Sequence, residues 1–507
     1  MKKALTYFFI FTIGASIFFA SWFVLHNNIY FFTDLARDFL LFEEIALTKK
    51  PILIGPRTSM QGVFHGPAWL YVNLPVFLAS RGNPVAVGWF WVFLIAISIC
   101  VMYFISRKLL DKQIALPITA LYALAVGNTA PYLYNPFGAV LFAPLFFYFF
   151  VRYMQKHQFL HLLICLFCIG MAIQFEMVWG VPILILASIL ILYKIIRSKK
   201  FAHLFSFGIL AIPLSTFILF DLRHQFIQLK SIIRYVVGSP GAAKQKADLF
   251  TLVITRTKDM IFVMPSYFSN GSIYINTVLT IIFILLVVLF LKSKILKKHS
   301  FISYFLYFYG GFWIVTLPIR GMIYDYYYWA FLPLFCIVVG ALVNIHFKKY
   351  APYIFAAIAL FLIVANVQIV LKQDRQFFQK NTGLWSFYLG QAQSVYKNAG
   401  ADFGWYVYTA DQYAYSFKYA MSYTQQQFPT IRSYKFQKKP LTYLMIYPSD
   451  NKYTNETPWR TGQVKINKKP EEILKSYGGS YAEKYTLTPE DIAVPADSTL
   501  LQDLTFR

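Results

Sequence analysis

Charge is scarce in this sequence, and negative charge is scarcest. Only 14% of the 507 residues are charged, and Asp plus Glu number 22 against 47 Lys plus Arg, a formal net charge of +25. So thin a polar coat, with 58% hydrophobic residues and a mean hydropathy of +0.52, excludes an ordinary soluble enzyme and fits a multi-span membrane protein. Cysteine is nearly lacking: Cys100, Cys165, Cys168 and Cys336 all lie inside apolar runs, which excludes a disulfide framework. The CxxC spacing of Cys165 and Cys168 reads as two small packing residues in a lipid-buried helix. There is no P-loop, GxGxxG, HExxH or GxSxG pattern, so a bound nucleotide, a zincin centre and a serine elbow are not indicated. No tight His/Asp cluster settles whether a divalent metal is used; it is allowed, not required. No internal repeat of fixed period is visible.

What is present is a succession of membrane-length apolar runs. A spanning helix needs about 20 mostly apolar residues. The stretches 4–25, 85–106, 113–128, 136–154, 159–175, 177–196, 201–220, 272–291, 301–318, 328–347 and 350–371 predict about eleven spans. The first follows Lys2 and Lys3 with no small-residue cleavage site, and reads as an uncleaved span. Residues 67–80, PAWLYVNLPVFLAS, are short and carry Pro75, and so predict an interfacial helix.

With that segment kept out of the count, the basic clusters fall on one side throughout. These are Lys2 and Lys3; Arg107, Lys108 and Lys112; Arg152 and Lys156; Lys194, Arg197, Lys199 and Lys200; Lys292, Lys294, Lys297 and Lys298; Lys348 and Lys349. That side is expected to be the cytoplasm, with the N-terminus there and the chain in the plasma (inner) membrane. Topology then accounts for the basic excess without nucleic acid. The expected outer side receives loops 26–66, 129–135, 221–271 and 319–327, the apex at Gln174 and Glu176, and everything from 372. The expected division is a transmembrane domain, 1–371, whose outer loop 26–84 carries the site, and a small extracytoplasmic α/β domain, 372–507. In the latter WYVYTA (405–410) and LTYLMIYP (441–448) read as strands around a helix near 411–422.

In the first loop Asp34, Arg37, Asp38, Phe42 and Ile45 recur at spacings of three and four, which places Asp34, Arg37 and Asp38 on one helix face. A carboxylate, a guanidinium and a second carboxylate there can meet one substrate; a helix start with favourable acids and a local ion pair explains them too. The whole loop, TDLARDFLLFEEIALTKKPILIGPRTSMQGVFHGPAWLYV, resembles the first outer loop of GT-C glycosyltransferases of the family 39 type, which include protein O-mannosyltransferases and lipid A 4-amino-4-deoxy-arabinose transferases. Asp34 matches the opening Asp of that family, Arg37 its basic position and His65-Gly66-Pro67 its closing motif. Leu35 stands where an Asp-Glu pair would have Glu, and Gly66 where the first of two prolines would stand.

The resemblance implies transfer of a sugar from a polyprenyl-phosphate donor to a glycan, lipid or protein acceptor on the outer face, with inversion. It implies Asp34 as the base, with membrane lipids as the surroundings. Chemically the reaction needs a base for the acceptor proton and a cation for the departing phosphate. Asp38 is a second candidate carboxylate, able to hold the acceptor or orient Arg37. His65 can meet the acceptor, the phosphate or its own loop. Arg57 and Arg320 lead the outer cations, ahead of Lys230, Arg234, Lys244 and Arg256. PIRGMIYDYYYW (318–329) adds Tyr324, Asp325 and Tyr327 as partners for phosphate or sugar, and Asn135 and Glu176 are further contacts; interfacial aromatic belts and turns favour the same residue types. Two other readings stand beside this one. A transporter or flippase of lipid-linked saccharides would call for polar groups deep in several helices and paired broken helices, and mid-span charges are nearly lacking. A membrane scaffold would leave Asp34 and the His65-Gly66-Pro67 loop without a role.

Overall fold

The computed structural model describes residues 2–58, 60–127, 133–237, 248–293, 299–319, 323–375, 383–409, 411, 413–447 and 456–501. Each of the eleven apolar runs is helical. Among the described residues seven helices are long and apolar enough to cross a membrane, or eight if the bent pair 201–223 is one span: Lys3–Ala20, Pro84–Leu109, Pro136–Lys156, Met177–Ser198, Ile273–Lys292, Asp325–Phe347 and Ala351–Gln373. Their outward faces are apolar, as lipid contact demands; Val278, Ile281, Ile282, Leu285, Val288 and Leu289 of Ile273–Lys292 are all exposed. Lys112–Gly127, Phe159–Phe175 and Ser300–Thr316 are shorter, 16 to 17 residues. At 1.5 Å per residue that is about 25 Å, less than the roughly 30 Å hydrocarbon core. Lys112–Gly127 is buried almost throughout from Ile114 onward, so other helices rather than lipid surround it.

The run 201–220 is not one straight span. Its helices Phe201–Ala211 and Ser215–Arg223 meet at 66°. Pro213 lies in the break, where it has no N–H to donate and its ring blocks a regular helix. Its carbonyl accepts from Gln174 Nε2 at 2.5 Å. Residues 67–80 form the helix Ala68–Ala79 with Pro75 inside, 12 residues and so about 18 Å long, too short to cross. The described parts of 221–271 are largely helical, as Ile227–Val237 and Leu249–Ser266.

The chain separates into two compact units. The first comprises Met1–Trp22, Pro51–Asn73 and Trp89–Val370, the second Phe23–Lys50, Leu74–Gly88 and Leu371–Arg507. Two pieces of the first hundred residues thus pack with the C-terminal region.

The second unit holds a five-stranded sheet of β1 (Phe403–Tyr408), β2 (Ser433–Lys435), β3 (Leu441–Ile446), β4 (Glu472–Lys475) and β5 (Tyr481–Thr486), in the order β2-β1-β3-β5-β4. β1 runs parallel to β2 and β3, whereas β5 pairs antiparallel with β3 and β4. Helices Trp385–Ala399 and Tyr415–Gln425 accompany it. Its core is aromatic: Tyr396, Tyr406, Tyr443 and Tyr485 are buried, and Tyr396 Oη donates to Ser433 Oγ at 2.7 Å, which lets so polar a side chain lie inside.

The first-loop segment is fastened to this region by backbone and rings. Phe31 N donates to Gly383 O (2.8 Å), Trp385 N to Ile29 O (3.0 Å), and the Asn28 amide exchanges bonds with Ser386. Phe31 and Phe39, both fully buried, pack against Tyr419, and Phe39 also meets Phe42 and Phe77. Buried rings of this kind contribute roughly 1.5–3 kcal/mol each.

Candidate functional site

The described residues among those singled out by sequence lie in two constellations, one in each unit.

In the second unit, helix Thr33–Thr48 starts after Phe32, which is extended (φ −91°, ψ 172°) and supplies no side-chain cap. Asp411 anchors the start from another element: its carboxylate accepts from Thr33 Oγ1 (2.6 Å), Thr409 Oγ1 (2.6 Å) and Ala414 N (3.1 Å). Leu35, Ala36, Phe39 and Phe42 turn inward and set the rotation of the helix. That leaves Asp34 in the first turn, where a negative charge suits the helix dipole, with its side chain 54% exposed. Arg37 lies between the two carboxylates, donating to Asp34 Oδ1 at 2.7 Å and to Asp38 Oδ1 at 3.1 Å. Asp38 is fully buried, and its Oδ2 has no hydrogen-bond partner among the described residues. Burial pushes its carboxyl up to about 6 against the pull of Arg37, with Asp34 adding a small push of the same sign as burial. The expected face of Asp34, Arg37 and Asp38 is thus present as one exposed acid, a shared cation and one buried acid.

In the first unit the closing motif is pinned to the apex between helices Phe159–Phe175 and Met177–Ser198. Residues 55–58 and 63–65 form a small hairpin: Gly55 N donates to His65 O (2.8 Å), His65 N to Pro56 O (2.9 Å), and Arg57 bridges Phe64. Arg57 is exposed on it. Gly66 N donates to Gln174 O at 3.0 Å. A side chain at Gly66 would run into Gln174 Oε1 and stand 2.8 Å from its backbone oxygen, so this position cannot carry a larger residue without moving the apex. Gly66→Ala is therefore expected to cost roughly 1–3 kcal/mol as overpacking, read as a lower melting temperature of the purified protein.

The same apex binds the second turn. Asn135, buried, donates through Nδ2 to Phe175 O at 2.8 Å, and Gly138 leaves the room that the Phe175 ring fills. Glu176 breaks the chain between the two helices in extended conformation and caps the second, its Oε1 accepting from Val178 N at 3.0 Å. Its Oε2 is buried with no hydrogen-bond partner among the described residues, and burial pushes the carboxyl up to about 8. Glu176 is then mostly protonated at pH 7. Because its folded value lies above the unfolded one, stability falls as pH rises from about 4.5 to about 8. Glu176→Gln is expected to match the parent near pH 4, to be more stable than it at pH 7 and to remove that slope, as melting temperatures across the pH range will show.

Tyr134 joins this region to the tyrosine cluster, its ring 5.4 Å from Tyr326 and 5.7 Å from Trp329. Tyr324 stacks on Tyr326 (5.3 Å) and Tyr327 lies 4.5 Å from Tyr326. Asp325 and Tyr324 are exposed and Tyr327 is buried; Asp325 Oδ1 accepts from Tyr326 N at 2.8 Å. Asn135, Glu176 and the tyrosines therefore share one neighbourhood through Tyr134 and Tyr326. Arg320 and Lys244 lie outside the described residues. Lys230 and Arg234 are exposed, whereas Arg256 is buried, donates to Ile319 O at 2.8 Å and sits within electrostatic reach of Tyr327, Tyr328 and Asp259. Sequence ranked Arg256 low because nothing local distinguishes it from exposed lysines and arginines nearby. Among the described residues no three His, Cys, Asp or Glu side chains are grouped so as to hold a metal ion.

No family model and no curated protein matches the chain. Four solved chains do match in fold. Among them is the crystal structure of ArnT from Cupriavidus metallidurans bound to undecaprenyl phosphate, with a TM-score of 0.60 at 10% identity, covering 95% of this chain and 98% of that one. At so low an identity the likeness is one of fold. It extends over nearly the whole of both chains, the helical membrane region and the C-terminal sheet included.

Proposed function

We propose that this GT-C-like chain is an inverting membrane glycosyltransferase of the family 39 type, moving a sugar from a polyprenyl-phosphate donor to an acceptor on the outer face of the membrane, with Asp34 as general base. One observation carries the reading. On a fold shared with a protein solved with undecaprenyl phosphate, the first loop presents a half-exposed carboxylate at the head of a helix, held by an arginine that a buried second acid holds in turn.

In the proposed reaction an acceptor hydroxyl or amine attacks the anomeric carbon as the carbon–oxygen bond to phosphate breaks. The acceptor proton goes to Asp34, and the electron pair leaves with the lipid phosphate. Asp34 keeps one oxygen bonded to Arg37 and has no second partner among the described residues, which supports its reach toward a substrate. Arg57 and Arg320 remain our candidates for the departing phosphate. The burial of Arg256 beside Tyr327 and Tyr328 supports adding it, since a guanidinium binds phosphate oxygens in pairs and gains strength away from water. His65, Asn135, Glu176, Tyr324, Asp325 and Tyr327 are proposed as contacts to donor or acceptor. The basic clusters support a cytoplasmic N-terminus and an extracytoplasmic C-terminal domain.

The transporter reading has less support: one bent helix pair occurs among the described residues, where it would call for a matched set. The two readings separate in purified protein reconstituted with undecaprenyl-phosphate-linked sugars and a mixture of envelope glycans, lipids and peptides. Release of free undecaprenyl phosphate with a sugar of opposite anomeric configuration on an acceptor supports transfer. Movement of intact lipid-linked sugar between leaflets, with no bond cleaved, sinks it.

A further inference from the structure

The second unit contains a cleft that the proposed chemistry does not use. It lies between helix Trp385–Ala399 and the strands β4 and β5, with a volume of about 480 Å³, within the range of roughly 300–1,000 Å³ usual for small-ligand sites. Phe387, Gly390, Gln391, Ser394 and Val395 come from one helix face at spacings of three and four.

The polar lining is what makes it a candidate site. Gln391 is 2% exposed, yet neither its Nε2 nor its Oε1 has a hydrogen-bond partner among the described residues. A buried primary amide with all its bonding capacity open is costly, and native proteins rarely retain one without a partner. Around it stand the hydroxyl residues Ser386, Ser394 and Ser476, with Lys475 exposed at the rim and the apolar wall of Phe387 and Leu474 behind. Among the described residues no Asp or Glu lines the cleft.

We infer that this cleft binds a neutral or acidic saccharide unit. A primary amide and hydroxyls side by side both donate and accept, which matches the adjacent hydroxyls of a sugar ring, and an apolar wall matches the ring's C–H face. Lys475 at the rim favours an acidic sugar over a cationic amino sugar. The inference does not rest on glycosyl transfer: binding here is expected in the full chain whether or not Asp34 is intact.

Gly390 supplies the test. A Cβ added there meets nothing within 4 Å, so the side chain of Gly390→Phe starts in open space at the cleft wall and is expected to occupy the cleft, in a helix where glycine is the weaker former. Full-length protein in detergent is titrated by calorimetry with maltose, digalacturonate and diglucosamine, after a glycan array has widened the set. A neutral or acidic saccharide binds, diglucosamine binds at least tenfold more weakly, and both Gly390→Phe and Gln391→Leu lose at least tenfold in affinity. Gln391→Leu melts at the same temperature or higher, because it removes an unsatisfied amide. Asp34→Asn binds as the parent does, which separates this site from the proposed catalytic one. Absence of any neutral or acidic ligand, affinities unmoved by both variants, or a Gln391→Leu protein that melts lower with no saccharide bound would overturn the inference.

Discussion

Asp34→Asn is expected to lower sugar transfer roughly 10²- to 10⁴-fold, the usual contribution of a positioned general base. The substitution keeps the size of the side chain and removes only its charge and basicity. Since the Asp34 side chain is 54% exposed, folding stability is expected to change by no more than about 0.5 kcal/mol. Arg37 keeps its bonds to Asp38, so the local geometry has a second support. Single-turnover assays with a radiolabelled polyprenyl-phosphate sugar, run beside a donor-binding measurement, separate lost chemistry from lost binding. Transfer at the parent rate would remove Asp34 from the role of base, and donor binding that collapses in step with transfer would recast it as a binding residue.

The second large effect concerns the cation between the two acids. Arg37→Met leaves Asp38 buried without its charge partner, and breaking a buried pair from one side costs roughly 3–5 kcal/mol. The loss should depend on pH in a definite direction. In the parent protein Asp38 titrates near 6, above its value in an unfolded chain, so the folded state binds the proton more tightly and stability falls as pH rises from about 4 to about 6. Without Arg37 the folded value climbs further and the penalty extends to higher pH. The variant is therefore expected to be much less stable than the parent at pH 7.5 and close to it at pH 4, where the folded Asp38 is neutral with or without Arg37. Arg37→Met combined with Asp38→Leu should recover most of the loss. Denaturant titrations of the three proteins at both pH values measure this, and a deficit independent of pH would mean that the packing of Arg37, not its charge, supports the helix.

Protonation of Asp38 also bears on Asp34. As pH falls through about 6, Asp38 is protonated and stops sharing Arg37, which is then left paired with Asp34 alone. The acid limb of transfer is thus expected to report the buried acid.

Hydrophobic runs, helical spacing and turn residues are local patterns, and they foretold a great deal here. All eleven apolar runs are helices, residues 67–80 form a short helix with Pro75 inside, and 405–408 and 441–446 are strands. The spacing of Asp34, Arg37 and Asp38 placed them on one face because a helix of 3.6 residues per turn brings such positions together whatever surrounds it. β2, β4 and β5 escaped notice: SYK, EILK and YAEKYT are short or charged and gain their strand character from neighbours in the sheet.

Which acid is buried was decided by tertiary structure. Asp34 and Asp38 are chemically the same, four residues apart, and only the packing of Leu35, Phe39 and Phe42 leaves one exposed and the other enclosed. The bend at Pro213 acquires its partner from Gln174, thirty-nine residues earlier, and Gly66 its tight fit from that same side chain. The first-loop segment packs with the C-terminal region through Phe31, Gly383 and Trp385, a pairing no local pattern encodes. Composition and periodicity by themselves determined that this is a helical membrane chain and where its helices run, because apolar length and helical repeat act over neighbouring residues. Burial, pairing and the raised titration of Asp38 and Glu176 came only with the fold, because removing a group from water takes atoms from distant parts of the chain.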